Sequence, residues 1–124
     1  MTVTPLTIRH LCELDLQNGL LETLDELRPA SKIKPELALI VFRRLQSNPN
    51  CHVIVADLNR LIVGTATLWI NDHFFHDAGC SGQIEDVAVR ANRQGRGIGR
   101  SLVEYLVNYA INAGCYKTSL YCDN

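Results

Sequence analysis

The sequence predicts an α/β fold (of the α+β kind), in which a mixed, mostly antiparallel sheet is flanked by helices. Two apolar runs that meet at a short turn predict a hairpin, and apolar residues at helical spacing predict amphipathic helices. A long helical pattern between two strand-like runs predicts a β-α-β crossover between parallel strands. The predicted order over residues 1–124 is β-α-α-β-β-β-α-β, in a single domain, because no repeat, linker or low-complexity tract interrupts the chain.

The first strand and the first helix are predicted before residue 30. The segment from Val3 to Arg9 is typical of a strand. A helix is predicted from about Glu13 to Pro29, where the missing N–H of proline ends it. One face of this helix carries apolar residues at i, i+4 and i+7, namely Leu20, Leu24 and Leu27.

A second helix is predicted to begin near Pro35, since proline suits the first turn of a helix. The turn signal Asn48-Pro49-Asn50 ends it. Its spacing predicts a buried face of four residues, which are Leu37, Ile40, Val41 and Leu45.

Three strands are predicted in the middle of the chain. The runs Cys51 to Leu58 and Leu61 to Ile70 form a hairpin around Asn59-Arg60, because asparagine tolerates the positive φ of a tight turn. The segment from Asn71 to Gly82 is predicted to be a loop, since it is rich in Gly, Asp and Asn. The segment from Gln83 to Val89 is again strand-like.

The last helix is predicted from Ile98 to Ala113, with Gly114 just past its C-terminus. Its apolar face contains Ile98, Leu102, Leu106 and Tyr109. Alternation from Tyr116 to Asp123 predicts a final strand. A meander followed by a β-α-β crossover, which we expect to be right-handed, gives the mixed sheet.

The composition excludes several classes of function. Twelve basic and thirteen acidic residues give a net charge of -1, which does not favour nucleic-acid binding. The longest apolar run, Leu61 to Ile70, is too short to span a bilayer, and the N-terminus has no secretory pattern. The five cysteines lack CxxC spacing, so we expect no metal site and no disulfides but reduced, mostly buried thiols in a cytoplasmic protein.

The segment Gln94-Gly95-Arg96-Gly97-Ile98-Gly99-Arg100 is the most informative part of the sequence. Its glycines remove Cβ atoms where a ligand could approach the backbone, and a helix N-terminus follows with free N–H groups and a positive dipole. Such a loop suits a phosphate or pyrophosphate, although three glycines can also form a mere turn. Neither the P-loop pattern nor the G-x-G-x-x-G dinucleotide pattern is present.

This segment resembles the pyrophosphate-binding signature of the GNAT N-acetyltransferases, Gln/Arg-x-x-Gly-x-Gly/Ala, through Gln94, Gly97 and Gly99. The resemblance implies a GNAT-like fold with acetyl-CoA as co-substrate and no metal. It also implies that the backbone of Val87, Ala88 and Val89 holds the pantetheine arm. The pyrophosphate would lie on the amides of the loop, which are those of Gly95, Arg96, Gly97, Ile98, Gly99 and Arg100.

Two further segments, Gly82 to Val89 and Gly114 to Lys117, resemble the glucosamine 6-phosphate N-acetyltransferase family within that superfamily. This narrower resemblance implies that Glu85 and Asp86 contact the amino sugar. It also implies that the loop from His73 to His76 receives the sugar phosphate. Without the resemblance, the two carboxylates could be solvated charges and the two histidines could simply be exposed.

The resemblance implies direct transfer in a ternary complex rather than an acyl-enzyme. The Val87 amide is the candidate donor to the oxyanion, while Glu85 or Asp86 orients the amine or accepts its proton through water. The family has an Asp where this chain has Tyr121, which would lie in the substrate site. The family also continues past the position of Asn124, so we expect this chain to be C-terminally short.

The leading functional hypothesis is therefore acetyl-CoA-dependent N-acetylation of D-glucosamine 6-phosphate in UDP-N-acetylglucosamine biosynthesis, by a cytoplasmic homodimer that binds neither nucleic acid nor membranes. One alternative is a GNAT enzyme that acetylates another small amine or a peptide. Another is a non-catalytic homologue that binds CoA or modulates a dimer, which would bind CoA without turnover.

Overall fold

The computed structural model describes residues 5–121, and its centre is a five-stranded sheet. The strands lie in chain order across the sheet. The first four are antiparallel neighbours, whereas the fifth lies parallel to the fourth, so the predicted mixed, mostly antiparallel sheet is confirmed. The strands are β1 (Leu6–His10), β2 (Cys51–Leu58), β3 (Leu61–Asp72), β4 (Cys80–Val89) and β5 (Cys115–Leu120).

Helices cover both faces of this sheet, in the predicted order except for one additional helical turn within the predicted loop from Asn71 to Gly82. The helices are α1 (Leu20–Leu24), α2 (Pro35–Gln46), the single turn α3 (Phe75–Ala78) and α4 (Ile98–Asn112). Two short 3-10 segments, Glu13–Gln17 and Ala91–Arg93, precede α1 and α4. None of the helices in residues 5–121 is long and apolar enough to cross a membrane.

The main core lies between α4 and the sheet. Leu102 and Leu106 of α4 are fully buried, and they belong to one cluster with Ile54, Leu68 and Ile84 from three strands. The predicted apolar face of α4 is therefore confirmed for its leucines. Full burial of one such side chain stabilises the fold by roughly 2 kcal/mol.

The opposite face has a smaller apolar cluster, in which Leu20 of α1 packs on Val55 and Ile62. A buried carboxylate, Asp15, supports this face by accepting two hydrogen bonds of 2.8 Å from Arg9. Burial opposes the charge of Asp15, but the bonds from Arg9 and from the Cys12 N–H outweigh it and lower the pKa of the carboxyl.

The single helix predicted from Glu13 is wrong. The segment instead divides into the 3-10 turn Glu13–Gln17 and the five-residue α1. Gly19 separates them with a φ of 108°, a conformation that favours glycine and that no helix contains. Leu20 is buried, Leu24 is half-buried and Leu27 is exposed, so the predicted face is only partly used.

The start of α2 at Pro35 is confirmed, but its predicted buried face is wrong. Ala38 and Phe42 are the buried residues of this helix. Leu37, Ile40 and Val41 are 52, 44 and 47% exposed, and Leu45 is half-buried. The helix packs mainly on β2 and the first 3-10 turn, and it buries the i, i+4 pair Ala38 and Phe42 rather than the predicted face.

The hairpin between β2 and β3 is confirmed, and both Asn59 and Arg60 have the positive φ of a tight turn. The loop predicted from Asn71 to Gly82 is too long, because β3 continues to Asp72 and β4 begins at Cys80. Both extensions are paired with each other, so neighbouring strands compensate for their weak strand propensity. The connection that remains, residues 73–79, contains three consecutive left-handed residues, which are His76, Asp77 and Ala78.

The two ends of the sheet differ slightly from the prediction. The last strand is Cys115–Leu120, so Tyr121 lies beyond it, and the predicted continuation to residue 123 falls outside the described residues. The predicted start of the first strand at Val3 also falls outside them. Gly114 has a φ of 91° just after α4, which confirms its predicted position past the helix end.

The expectation of mostly buried cysteine thiols is wrong for the cysteines that the structure describes. Cys51 is buried, whereas Cys12 is exposed and both Cys80 and Cys115 are partly accessible. Cys122 lies outside the described residues. The partly accessible pair lies on neighbouring strands, where the Cys80 and Cys115 sulfur atoms are 3.4 Å apart.

Candidate active site

The strand β4 has two halves with different partners. Its first half, residues 80–84, pairs with β3 on one side and with β5 on the other. The last contact with the β5 side is a hydrogen bond of 2.8 Å from the Tyr121 N–H to the Ile84 carbonyl. Within the described part of the chain, residues 85–89 then have only β3 as a partner. A cleft opens where β4 and β5 separate.

A β-bulge begins in the second half of β4. Thr67 pairs with Glu85 and Thr65 pairs with Ala88, so the two residues between them on β4 oppose one residue on β3. Asp86, the first of the two, has a φ of 54°, which is uncommon for a residue other than glycine. The bulge leaves the Asp86 side chain exposed and brings Val87 to the cleft.

The cleft has a volume of about 950 Å³ and lies between the end of α1, the second half of β4, the start of α4 and the end of β5. Its polar residues carry charges of both signs, so it suits a substrate with an amine and an anion. The lining residues include Leu24, Leu27, Arg28, Glu85, Asp86, Val87, Gly99, Arg100 and Tyr121.

The Glu85 carboxylate is held in a fixed position in this cleft. Its Oε1 accepts a hydrogen bond of 2.8 Å from the Trp69 indole, and its Oε2 accepts a longer one of 3.3 Å from Gln83. The Cys51 thiol senses this carboxylate. Its own burial and, to a lesser extent, the charge of Glu85 raise the pKa of the thiol to about 11. Cys51 is therefore a neutral thiol at neutral pH, and Glu85 is an oriented carboxylate that lines the cleft.

Asp86 is held less firmly than its neighbour. Its Oδ1 lies 3.9 Å from an Arg28 nitrogen, and the two side chains are 49 and 61% exposed. An exposed pair at that distance contributes little to stability, since water and salt screen it. The Asp86 side chain can therefore reorient towards a ligand at little cost in stability.

The glycine loop has the geometry that its sequence predicts. Gly95 and Gly97 have φ values of 77° and 80°, and a Cβ atom on either would meet no atom within 4 Å. Gly97 is the N-cap of α4, so the first N–H groups of this 15-residue helix have no partner inside the helix. The Gln94 side chain donates a hydrogen bond of 2.9 Å to the Val89 carbonyl, which fixes the loop to the end of β4.

The other predicted cofactor residues are distributed around this loop. Ala88 is buried in the sheet, while Val87, Gly99 and Arg100 line the cleft. The Arg100 guanidinium donates a bond of 2.9 Å to Glu104 one turn later, and both side chains are largely exposed. Exposed cations beside a helix N-terminus add to its positive potential. Arg96 is exposed, Val89 is half-buried, and Ile98, the first residue of α4, is buried against the sheet.

The predicted phosphate-binding histidines lie at the other end of β4 and do not line the cleft. His73 lies 2.7 Å from the Ser81 hydroxyl, and the ring of His76 lies 4.1 Å from that of Tyr116. Ser81 borders a second cavity of about 330 Å³, which shares Tyr121 with the cleft. His73 is therefore one hydrogen bond away from a cavity adjacent to the cleft, whereas His76 packs on β5.

Two features of the site were not predicted from the sequence: the wall that faces Glu85 across the cleft, and the side chain that holds the Glu85 carboxylate. Leu24, Leu27 and Arg28 form the opposite wall, and Trp69 holds the carboxylate. No motif marks these positions, because the wall is formed by a five-residue helix packing against the sheet. The alternation of β3 with β4 could have found Trp69, since it pairs with Gln83 on the face that carries Glu85.

Comparison with known families identifies the superfamily. A model described as the acetyltransferase (GNAT) family matches residues 18–124, which is most of the chain. The chain belongs to the GNAT acetyltransferase family. Members of this family are acyltransferases that use acetyl-CoA, and the cleft with its glycine loop lies in the matched part of this GNAT domain. In residues 5–121, no cluster of three or more His, Cys, Asp or Glu residues is arranged to hold a metal ion.

Two proteins similar to this GNAT acetyltransferase are named glucosamine 6-phosphate N-acetyltransferase. The glucosamine 6-phosphate N-acetyltransferase of Candida albicans is 30% identical over 118 residues, which are 94% of this chain and 79% of that protein. The protein of the same name from Trypanosoma brucei brucei is 34% identical over 120 residues, which are 95% of this chain and 80% of that protein.

The fold agrees with that of solved structures. The crystal structure of glucosamine-6-phosphate N-acetyltransferase from Arabidopsis thaliana superimposes with a TM-score of 0.91 at 28% identity, covering 96% of this chain and 83% of that chain. A putative acetyltransferase from Agrobacterium tumefaciens gives 0.87 at 33% identity, covering 95 and 82% of the two chains. The predicted GNAT-like fold is therefore confirmed.

Proposed function

We propose that this protein N-acetylates D-glucosamine 6-phosphate with acetyl-CoA, by direct transfer in a ternary complex, and so forms N-acetylglucosamine 6-phosphate. The observation that carries the proposal is the cleft itself. An oriented carboxylate, Glu85, and a glycine loop at the N-terminus of α4 lie at the same opening of the sheet. The named relatives support this choice of amine, and the proposal includes a role in UDP-N-acetylglucosamine biosynthesis.

The residues present fit acetyl-CoA. Side chains are missing where Gly95 and Gly97 face open space, and a pyrophosphate there would meet the free N–H groups of α4. The second half of β4, including Val87, Ala88 and Val89, pairs with β3 along one edge, and its other edge can offer backbone groups to an extended arm. When bound, acetyl-CoA supplies the acetyl group as a thioester.

The residues of the chain then orient the amine and accept the proton that it loses. An amine is protonated at neutral pH and must lose one proton before it can attack a carbonyl carbon. Glu85 is fixed by Trp69 and faces the cleft, so it can accept that proton through water, while the exposed Asp86 binds the sugar. The Val87 N–H, in the bulge, is the proposed donor to the carbonyl oxygen.

The anion of the sugar phosphate has two groups of candidate ligands. Arg28 and Arg100 line the main cleft, whereas His73 approaches the second cavity through Ser81. We propose the second group as the phosphate end of the site, because the two cavities meet at Tyr121. His76, whose ring lies against Tyr116 and which lines neither cavity, would contact the phosphate only after reorienting. The sugar would then extend from Glu85 along β4.

The decisive experiment measures thiol release from acetyl-CoA with three acceptors, which are glucosamine 6-phosphate, glucosamine and a peptide amine, together with a CoA titration. The proposal predicts turnover that depends on the 6-phosphate. Equal rates with glucosamine would instead indicate an acetyltransferase for other small amines. CoA binding without any turnover would indicate a non-catalytic homologue.

The proposal extends to the assembly and its location. We propose a cytoplasmic homodimer, as the family resemblance implies. Sedimentation equilibrium over a range of protein concentrations measures the assembly, and a mass equal to one chain at all concentrations would exclude the dimer. Imaging of the tagged protein in its own cells tests the location.

A further inference from the structure

The second half of β4 ends in an arginine whose side chain turns away from the cleft. Arg90 follows Val89 directly and precedes the glycine loop, and its own N–H donates 2.9 Å to the Val63 carbonyl. Its guanidinium extends beneath α1, where it is half-buried. The sequence does not mark this residue, because an arginine after a strand is ordinarily a solvated charge.

The Arg90 guanidinium is bound by backbone oxygens and a hydroxyl. Its Nε donates to the Ile62 carbonyl at 2.9 Å and to the Thr23 hydroxyl at 3.2 Å, and its Nη2 donates to the Gly19 carbonyl at 3.0 Å. Among residues 5–121, no carboxylate forms an ion pair with Arg90. Its charge is therefore satisfied by the start of α1 and the start of β3, and charge-assisted bonds of this kind are about twice as strong as neutral ones.

The contact is closely fitted. Thr23 is fully buried, and its single hydroxyl proton is shared between the Gly19 and Ile62 carbonyls, at 2.8 and 2.9 Å. The N–H groups of Arg90 donate further hydrogen bonds to the same two carbonyls, which the single hydroxyl proton cannot satisfy alone. A Cβ atom at Gly19 would collide with Arg90 Nη2, so the glycine permits the approach of the guanidinium. A second link joins the same segments, since the Ala91 N–H donates 3.1 Å to Glu26.

These bonds matter because α1 cannot hold its own position. A helix of five residues is too short to be stable by itself. Yet its last turn and the residues after it, Leu24, Leu27 and Arg28, form the wall that faces Glu85 and Val87. We propose that Arg90 is a positioning residue, which fixes this wall at its working distance from β4 and thereby sets the affinity for the acceptor amine.

The kinetic part of this inference rests on the proposed function. In Arg90→Met, which keeps an apolar stem but removes all three donated bonds, we expect the KM for glucosamine 6-phosphate to rise about tenfold, since small misplacements of a reacting group are costly. The Kd for CoA should change by less than about twofold, because the glycine loop keeps its own contacts. Arg90→Lys, which can reach one carbonyl, should recover part of the loss.

The matched control is Arg43→Met, which removes an exposed arginine from α2 and should leave all constants unchanged. If Arg90→Met lowers only the melting temperature, or weakens CoA and acceptor equally, the inference is wrong. If that variant does not fold, the nearly isosteric Thr23→Val replaces it, with an expected rise in KM of about threefold.

A measurement that needs no acceptor separates this inference from the proposed function. Amide hydrogen exchange in residues 19–28 should be about tenfold faster in Arg90→Met than in the wild type, with residues 98–112 unaffected. Wild-type protein that binds CoA but does not turn over glucosamine 6-phosphate would refute the proposed function alone. Unchanged exchange in residues 19–28 would refute the role of Arg90, whatever the substrate.

Discussion

The two halves of β4 differ in how their backbone is used. Residues 80–84 are bonded to strands on both sides, and Ile84 belongs to the main core. Residues 85–89 have one neighbour among the described residues, contain a bulge and a left-handed aspartate, and line a cleft of about 950 Å³. The first half is bonded to strands along both of its edges, whereas the second is bonded to β3 along one edge and can offer the other to a ligand.

This difference shows what an unpaired strand edge requires. Exposed N–H and C=O groups along a strand are a liability in most proteins, because they pair with other chains. Here the edge lies inside a cleft bounded by α1, α4 and the end of β5, so these elements flank the exposed groups. The walls of the cleft therefore protect the edge as well as shape the site.

The largest effect is expected for Glu85→Gln, in the second half of β4. The amide oxygen can still accept the bond from Trp69, but the charge and the basicity are lost. We expect kcat/KM to fall by about 100-fold or more, the range typical of a general base. Initial rates at saturating acetyl-CoA measure it.

Gln83→Leu, two residues earlier in the paired half, is the control for that variant. It removes the weaker of the two bonds to Glu85 while leaving the carboxylate in place. We expect a loss of less than about threefold, because a hydrogen bond as long as 3.3 Å is weak and the 2.8 Å bond from Trp69 still holds the carboxylate. Equal losses in the two variants would mean that the two halves of β4 do not divide function as proposed.

A second test compares the two ends of α4. Gly97→Val should weaken CoA binding about tenfold, or about 1.4 kcal/mol, because the new side chain fills the space in front of the helix N-terminus. Gly114→Val is the matched control, since Gly114 also has positive φ and open space around it. The two variants should lose similar stability, whereas calorimetric titration with CoA should separate them.

Trp69→Phe tests the support of the carboxylate rather than the carboxylate itself. The variant keeps an aromatic ring but removes the N–H that bonds Glu85 at 2.8 Å. We expect kcat to fall about fivefold, which corresponds to one net hydrogen bond of about 1 kcal/mol. The crystal structure of the variant should show more than one position for the Glu85 side chain. An unchanged kcat would contradict the need for a fixed carboxylate.

The smallest predicted effect is on two thiols that both have a pKa raised to about 11. Burial dominates for each, but Glu85 contributes at Cys51, whereas Cys80 and Asp72 contribute at Cys115. Glu85→Gln should therefore lower the pKa of Cys51 and leave that of Cys115 unchanged. Carbon NMR titration of the two Cβ atoms measures this directly.

The same pKa shift gives the sign of a stability change with pH. The folded thiol of Cys51 keeps its proton up to about pH 11, whereas an unperturbed thiol releases it near 9.0. The stability that this group contributes is complete below pH 9.0 and is lost as the pH rises towards 11. Cys51→Ala should reduce the loss of stability over that interval.

Much of the fold could be predicted from local patterns. The hairpin around Asn59-Arg60 and the helix that begins at Ile98 have strong turn and periodicity signals, and both are confirmed. The predicted helix from Glu13 failed because one glycine, Gly19, adopts a left-handed conformation that the leucine spacing does not register. The exposed side of α2 was misassigned because periodicity marks a stripe but not what covers it.

The site could be predicted only where its residues belong to a motif in the sequence. The segment from Glu85 to Val87 and the glycine loop follow one another in sequence, so their proximity could be anticipated. The wall formed by Leu24 and Arg28 comes from a distant part of the chain, and only packing brings it to the cleft. The tether from Arg90 to Thr23 spans 67 positions, and no local pattern predicts it.

The bond between Trp69 and Glu85 also gives the protein an optical reporter. This is the only tryptophan in the chain, and its indole N–H points at the carboxylate of the cleft. Indole emission responds to nearby charge and to the removal of water. A ligand that neutralises or shields Glu85 should therefore change the intrinsic fluorescence, and occupancy of the acceptor side can be followed in the unmodified protein without label or turnover.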